Sequence, residues 1–326
     1  ANGFTTLQAA IDAIPDVAQN VTIIVCKGST NYLGQTTTIQ KASVKSLTIQ
    51  GEFYAYEACD ANAVAGKVVD ADADFSNFAV GDRVVCTKYS GTVGESGIED
   101  YFYATITEVG EGYVQTSEET KVPTTGWKYL INQTHIQSVN DVVFGGIINS
   151  EYLNTFKIYG ISFQVSGNTG NARCSIVARN HYAAISQCMF SGNQGILFSN
   201  SLITALYNYF NNTYSGIQAA HGTSGDVGHN VFSGSPSGCI IQNNGTSLHC
   251  YYDYFITSHE TGKAIHQAFN LDNTYLKSCY IASTVTYGTY GYNITLTNCT
   301  NNAATPVYHL TSGGSIEKWN GQALPS

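Results

Sequence analysis

Charge is what this chain has least of. Charged residues fill 11% of its 326 positions, against about 25% in an ordinary soluble protein, so Ser, Thr, Asn, Gln, Gly and Tyr must cover its surface. There is no Pro-rich or Gln-rich tract, and aromatic residues at 12% bury enough area to offset chain entropy, which argues against intrinsic disorder. Lys and Arg number 14 against 23 Asp and Glu and nowhere cluster, giving a net charge of −9. A phosphate backbone is repelled on balance, so no nucleic-acid partner is expected. No apolar run approaches the roughly 18 residues that span a bilayer, so no membrane span is expected. No CxxC pair occurs, which removes the strong zinc and thioredoxin-like patterns.

Nine cysteines are present: Cys26, Cys59, Cys86, Cys174, Cys188, Cys239, Cys250, Cys279 and Cys299. They are candidates for disulfides or buried thiols, with an odd one left for a free thiol or an intermolecular bond. Six Asn-x-Ser/Thr sequons, at Asn20, Asn132, Asn211, Asn244, Asn293 and Asn298, are glycan acceptors if the chain is exported. The start Ala1-Asn2-Gly3-Phe4 lacks a methionine and reads as processed. With the low charge and the cysteines, this points to an extracellular or cell-surface address.

The second half carries a recurrent five-residue unit with a small or amide residue in the middle and an apolar residue last. Instances are Tyr-Gly-Ile-Ser-Phe ending at 163, Ser-Gln-Cys-Met-Phe at 190, Leu-Tyr-Asn-Tyr-Phe at 210, Gly-His-Asn-Val-Phe at 232, Tyr-Tyr-Asp-Tyr-Phe at 255 and Lys-Ser-Cys-Tyr-Ile at 281, with Leu-Thr-Asn-Cys-Thr at 300 closing the series. The spacings of 27, 20, 22, 23, 26 and 19 residues fit one coil of a solenoid of short strands. The middle position runs Ile161, Cys188, Asn208, Asn230, Asp253, Cys279, Asn298, which predicts an inward ladder whose amides bond from coil to coil. At the start, Leu7, Ala10, Ile11 and Ile14 share one helical face behind Thr5 or Thr6 as cap. Strands are predicted at Val21 to Cys26 and Ser46 to Gly51.

With these features the chain resembles a right-handed parallel β-helix of the pectin-lyase-like superfamily. The resemblance implies an all-β solenoid whose N-terminal helix plugs the open end. The expected organisation is a capping helix and first coils over 1–60, a small inserted β-sheet or barrel over 61–134, and the main β-helix with a C-terminal tail over 135–326. The insert shows four or five strand-like segments, among them Phe78 to Val85, Tyr101 to Val109, Gly112 to Thr116 and Trp127 to Ile131.

Within the superfamily the texture is nearest pectin methylesterase, around Ser175 to Arg179 and Cys188 to Gly195. That family's acids are missing: Gly195 follows Gln194, and the next coil reads Ser215-Gly216-Ile217-Gln218-Ala219. Lyase or hydrolase chemistry leaves Asp226, Glu260, Asp272, Lys263 and Arg179 as weak candidates, while Asp253 on the ladder reads as structural. His221, Asp226 and His229 form no persuasive metal set, His259-Glu260-Thr261-Gly262-Lys263 fails the HExxH pattern, and Asp70 to Asp74 lacks the rest of a calcium loop. No cofactor or metal is expected.

Tyrosine dominates the aromatics, 23 against 14 Phe and 2 Trp. Tyr251, Tyr252, Tyr287, Tyr290 and Tyr292 stand outside the inferred core, as suits a contact surface. The leading expectation is therefore an extracellular structural protein whose partner is itself, assembling into a filament, sheath or surface layer. The alternatives are a polysaccharide lyase or hydrolase, including a tailspike-like depolymerase, and an adhesin that binds glycans without cleaving them.

Overall fold

The computed structural model describes residues 3–27, 37–90, 97–138, 145–165, 173–234, 238–257, 261–269 and 271–309. Thr6 caps the helix Leu7–Asp12, its hydroxyl accepting from the Ala9 N–H at 3.1 Å. Leu7, Ala10 and Ile11 are buried, as the helical pattern predicts.

The chain then winds into a parallel β-helix with three faces. The first face stacks nine parallel strands in one order: Ala18–Val25, Val44–Gly51, Thr155–Tyr159, Tyr182–Ser186, Leu202–Leu206, Ser224–Gly228, Ser247–Tyr251, Asn273–Lys277 and Asn293–Thr297. The second starts at His135–Ser138 and Ser162–Val165 and ends at Tyr280–Ile281 and Thr300–Asn301. The third runs from Thr37–Gln40 and Gly145–Glu151 to Thr305–His309. Two long strands, Met189–Ser199 and Tyr209–Ala220, bend from the second face into the third.

Because every strand pairs in register with its equivalent one coil away, like side chains meet like. Phe163, Phe190, Phe210, Phe232 and Phe255 form a continuous stack with ring centroids 5.3, 4.9, 4.8 and 5.0 Å apart. These are the last residues of the five-residue unit. On the third face Ile148, Ile176, Ile196, Ile217, Ile240 and Ile265 form a second buried column.

The amide ladder is also present. Asn208 Oδ1 accepts the Cys188 N–H at 3.0 Å, Asn230 Oδ1 accepts the Asn208 N–H at 2.9 Å, and Asp253 Oδ1 accepts the Asn230 N–H at 2.8 Å. The amides donate back into the coil before: Asn208 Nδ2 to Ile185 O and Asn230 Nδ2 to Ala205 O, both at 2.9 Å. In the last coil the reading is corrected by one residue. Tyr280 pairs with Thr300 and Ile281 with Asn301, so Cys299 is the inward residue and Asn298 is exposed. Asn298 belongs instead to a corner column with left-handed backbone, which contains Gly160, Gln187, Tyr207, His229, Tyr252 and Ser278 at φ between 53° and 62°. In this column aromatic stacking offsets the strain of φ > 0 on bulky residues: His229 lies 4.8 Å from the Tyr207 ring and 4.9 Å from that of Tyr252.

The inserted unit is a six-stranded antiparallel sheet in the order Tyr54–Ala58, Trp127–Asn132, Arg83–Tyr89, Ile98–Gly110, Tyr113–Thr116 and Lys67–Val69. It begins at Tyr54, earlier than the expected 61, because Tyr54–Ala58 pairs with Trp127–Asn132 and not with a coil. Phe75, Cys86, Phe102, Trp127 and Tyr129 make its own core. Its other side, through Val85, Tyr89, Tyr101, Tyr103 and Leu130, packs on the outside of the second face, over Met189, Tyr209, Val231, Tyr254 and Tyr280.

All nine thiols are free and only Cys26 is exposed, so the expectation of disulfides is not met. The other eight fill interior positions where a small apolar group packs. The sequon residue Asn132 is fully buried in a strand and cannot carry a glycan on the folded chain, whereas Asn20, Asn211, Asn244 and Asn298 are exposed. Asn293 is half-buried, its amide donating to Asp272 O at 3.1 Å. Among the described residues no helix is long and apolar enough to cross a membrane.

Candidate functional site

The five weak candidates from the sequence do not converge. Asp226 lies exposed on the first face, 3.6 Å from His249. Asp272 is wholly buried and structural: Oδ1 accepts from the Thr246 N–H at 2.9 Å and hydroxyl at 3.0 Å, and Oδ2 from the Phe269 N–H at 3.2 Å. Lys263 is on the third face with Nζ 4.8 Å above the Tyr290 ring, and Arg179 pairs in register with Glu151 at the far end of a third-face strand. Glu260 lies outside the described residues. His221 and His229 fall on two different corners of the coil, and no group of three metal-binding side chains forms among the described residues.

A different set of residues does converge. Where the inserted sheet meets the first coils of the second face, a cleft of about 170 Å³ opens. The second face supplies two outward rows to it. One contains His135, Ser162, Met189 and Tyr209; the other contains Gln137, Gln164, Ser191 and Asn211. These rows follow from strand geometry, since alternate residues point outward and parallel register aligns them. The inserted sheet supplies Gly81, Arg83 and Tyr103. Tyr103 is held against Tyr209, rings 5.1 Å apart and nearly parallel at 8°, and the Arg83 guanidinium is 5.8 Å from the Tyr103 ring.

The surroundings set the charge states. Burial pushes the Tyr103 phenol above its ordinary value, with Arg83 opposing the shift, so it stays protonated at neutral pH. Burial pushes the His135 imidazole down; Asp82 opposes and Arg83 adds to the shift, so it is neutral. Asp82 is itself buried and engaged, accepting from Gln133 Nε2 at 3.0 Å and the Ala79 N–H at 2.7 Å. The Ser162 hydroxyl is buried without a hydrogen-bond partner, and it lines the cleft. No carboxylate is among the described lining residues. The cleft thus offers one fixed cation, a neutral base, a protonated phenol and a row of amides and hydroxyls.

Several solved structures match this chain at low identity. The tailspike gp61 of Pseudomonas phage phi297 matches at 10% identity over 90% of this chain and 71% of that one, with a TM-score of 0.20. The gp54 tailspike of Acinetobacter baumannii bacteriophage AP22, in complex with A. baumannii capsular saccharide, matches at 8% over 91% and 72%, with a TM-score of 0.22. The catalytic domain of a GH87 alpha-1,3-glucanase in complex with nigerose matches at 10% over 76% and 75%, with a TM-score of 0.35. No family model and no curated protein matches the chain. The chemistry of the cleft rests on its own residues.

Proposed function

We propose that this chain is an extracellular depolymerase that binds an acidic polysaccharide in the Arg83 cleft and cleaves it by β-elimination beside a uronate. The observation that carries this reading is the lining: a cation, a half-buried neutral imidazole and a half-buried phenol, with no carboxylate among the described lining residues. A glycosidase needs a pair of carboxylates across the scissile bond. Elimination does not. Arg83 pairs with the uronate carboxylate and makes the C5 proton more acidic. His135 takes that proton, the C4–O4 bond breaks, a C4–C5 double bond forms, and Tyr103 gives its phenolic proton to the leaving O4. Gln137, Gln164, Ser191 and Asn211 bond neighbouring hydroxyls along the rows.

Polygalacturonate, alginate and hyaluronan are the test substrates, followed by the ultraviolet absorbance of the new double bond and by chain length. At least one should be cut. Arg83→Ala and His135→Ala should each lower kcat/KM about a hundredfold or more, and Tyr103→Phe should act mainly on kcat. The acid limb of the rate profile should fall below the ordinary imidazole range, because burial lowers the pKa of His135. Binding without product would leave glycan adhesion and remove the chemistry; neither binding nor product with any acidic chain would sink the reading. Self-assembly through tyrosine faces has less support. Tyr209, Tyr254 and Tyr280 are covered by the chain's own insert, and Tyr251, Tyr252, Tyr287, Tyr290 and Tyr292 are half-buried.

A further inference from the structure

We infer a second saccharide site, for neutral sugar residues, along the free edge of the inserted sheet. Strand Tyr54–Ala58 is the first of the six, paired on one side only. Against it and the segment from Ala73 to Phe78 lies a cleft of about 370 Å³, within the size range of small-ligand pockets. It stands on its own lining and does not require cleavage in the Arg83 cleft.

Three kinds of group line it. Phe53, Tyr54 and Phe78 supply aromatic surface. Tyr54 is pinned, since its ring lies where even a Cβ on Gly160 would come within 2.3 Å of it; a pre-placed ring stacks on a pyranose face at low entropic cost. Glu57 and Asp74 supply exposed carboxylates. Asp74 Oδ1 is oriented by the Ser76 N–H at 2.9 Å, and the bonds from Ser76 hold its carboxyl below the usual range. Ionised carboxylates accept strong hydrogen bonds from sugar hydroxyls, and Asn77 and Gln187 add amides.

The charge decides the class of sugar. Two carboxylates repel a uronate, so the acidic residue suited to Arg83 is turned away here. A cationic ligand is disfavoured too, because Lys27 Nζ already sits 4.9 Å over the Phe53 ring. What remains is an uncharged pyranose with an apolar face and several hydroxyls.

Calorimetry and saturation-transfer NMR on the intact chain would use cellohexaose, laminarihexaose, maltohexaose and N-acetylchitohexaose, with hexagalacturonate as the acidic comparison. At least one neutral hexamer should bind, and Phe53→Ala, Glu57→Gln and Asp74→Asn should each weaken it about tenfold. Arg83→Ala should leave neutral binding unchanged while removing that of an acidic chain, so the two sites fail separately. Glu57 and Asp74 are exposed, and circular dichroism would confirm that their variants fold. The inference is overturned if no neutral hexamer binds, or if one binds with an affinity that Arg83→Ala lowers and the Glu57 and Asp74 variants do not.

Discussion

Asp253→Asn should make the chain markedly harder to unfold at pH 8 and leave it nearly unchanged at pH 4. Asp253 is fully buried, and desolvation lifts its pKa from 3.8 to about 8 in spite of the bonds from Asn230. Oδ1 accepts from Asn230 N and Nδ2 at 2.8 and 3.0 Å, whereas Oδ2 has no partner. An acid whose folded pKa exceeds its unfolded value costs nothing while both states are protonated. As pH rises past the unfolded value the unfolded chain ionises first, and stability is lost until the folded pKa is reached. The loss runs at about 1.4 kcal/mol per pH unit at most, across the window from pH 3.8 to about 8. Asparagine removes the ionisation and continues the ladder, its Nδ2 aimed at Val227 O as Asn208 and Asn230 donate to Ile185 O and Ala205 O. Urea unfolding at pH 4, 6 and 8 would check this; parallel pH profiles for the two proteins would refute it.

Phe210→Ala should cost about 3–5 kcal/mol. The ring is 1% exposed and sits between Phe190 and Phe232 at 4.9 and 4.8 Å, so truncation leaves a hole bounded by two flat faces that cannot collapse without shifting a coil. Leu202→Ala, on the open first face with 56% of its surface exposed, should stay within about 0.5 kcal/mol of the parent. Chemical denaturation of the pair separates ring stacking from general loss of apolar area.

The winding was legible because it repeats: a buried phenylalanine five times over, preceded two residues earlier by Cys188, Asn208 or Asn230 in three of the five, leaves few other arrangements. The slip at Asn298 came where that signal fades. Asn301 stands where earlier coils have Phe or Ile, so nothing apolar fixed the frame. The left-handed corner was hidden for a related reason, since Tyr207, His229 and Tyr252 occupy positions where Gly or Asn is the usual sign. The meeting of insert and coil residues in the cleft had no linear trace. Arg83 and Tyr103 come from the insert, His135 and Gln164 from two coils, and only parallel register combined with sheet docking brings them together. Only the polar row is written in the spacing: Gln137, Gln164, Ser191 and Asn211 each follow an inward Ile or Phe by one residue. The insert's extra strands, Tyr54–Ala58 and Lys67–Val69, lacked the length to declare themselves.

A stack of coils held only by contacts between neighbours is free to fray from its ends, one turn at a time. Here the antiparallel sheet lies across Met189, Tyr209, Val231, Tyr254 and Tyr280, which belong to five consecutive turns. None of these turns can peel away without lifting the brace from the other four, so the middle of the molecule is tied into a single cooperative block. Melting there should be all-or-none, and the loose rungs are left to the two extremities.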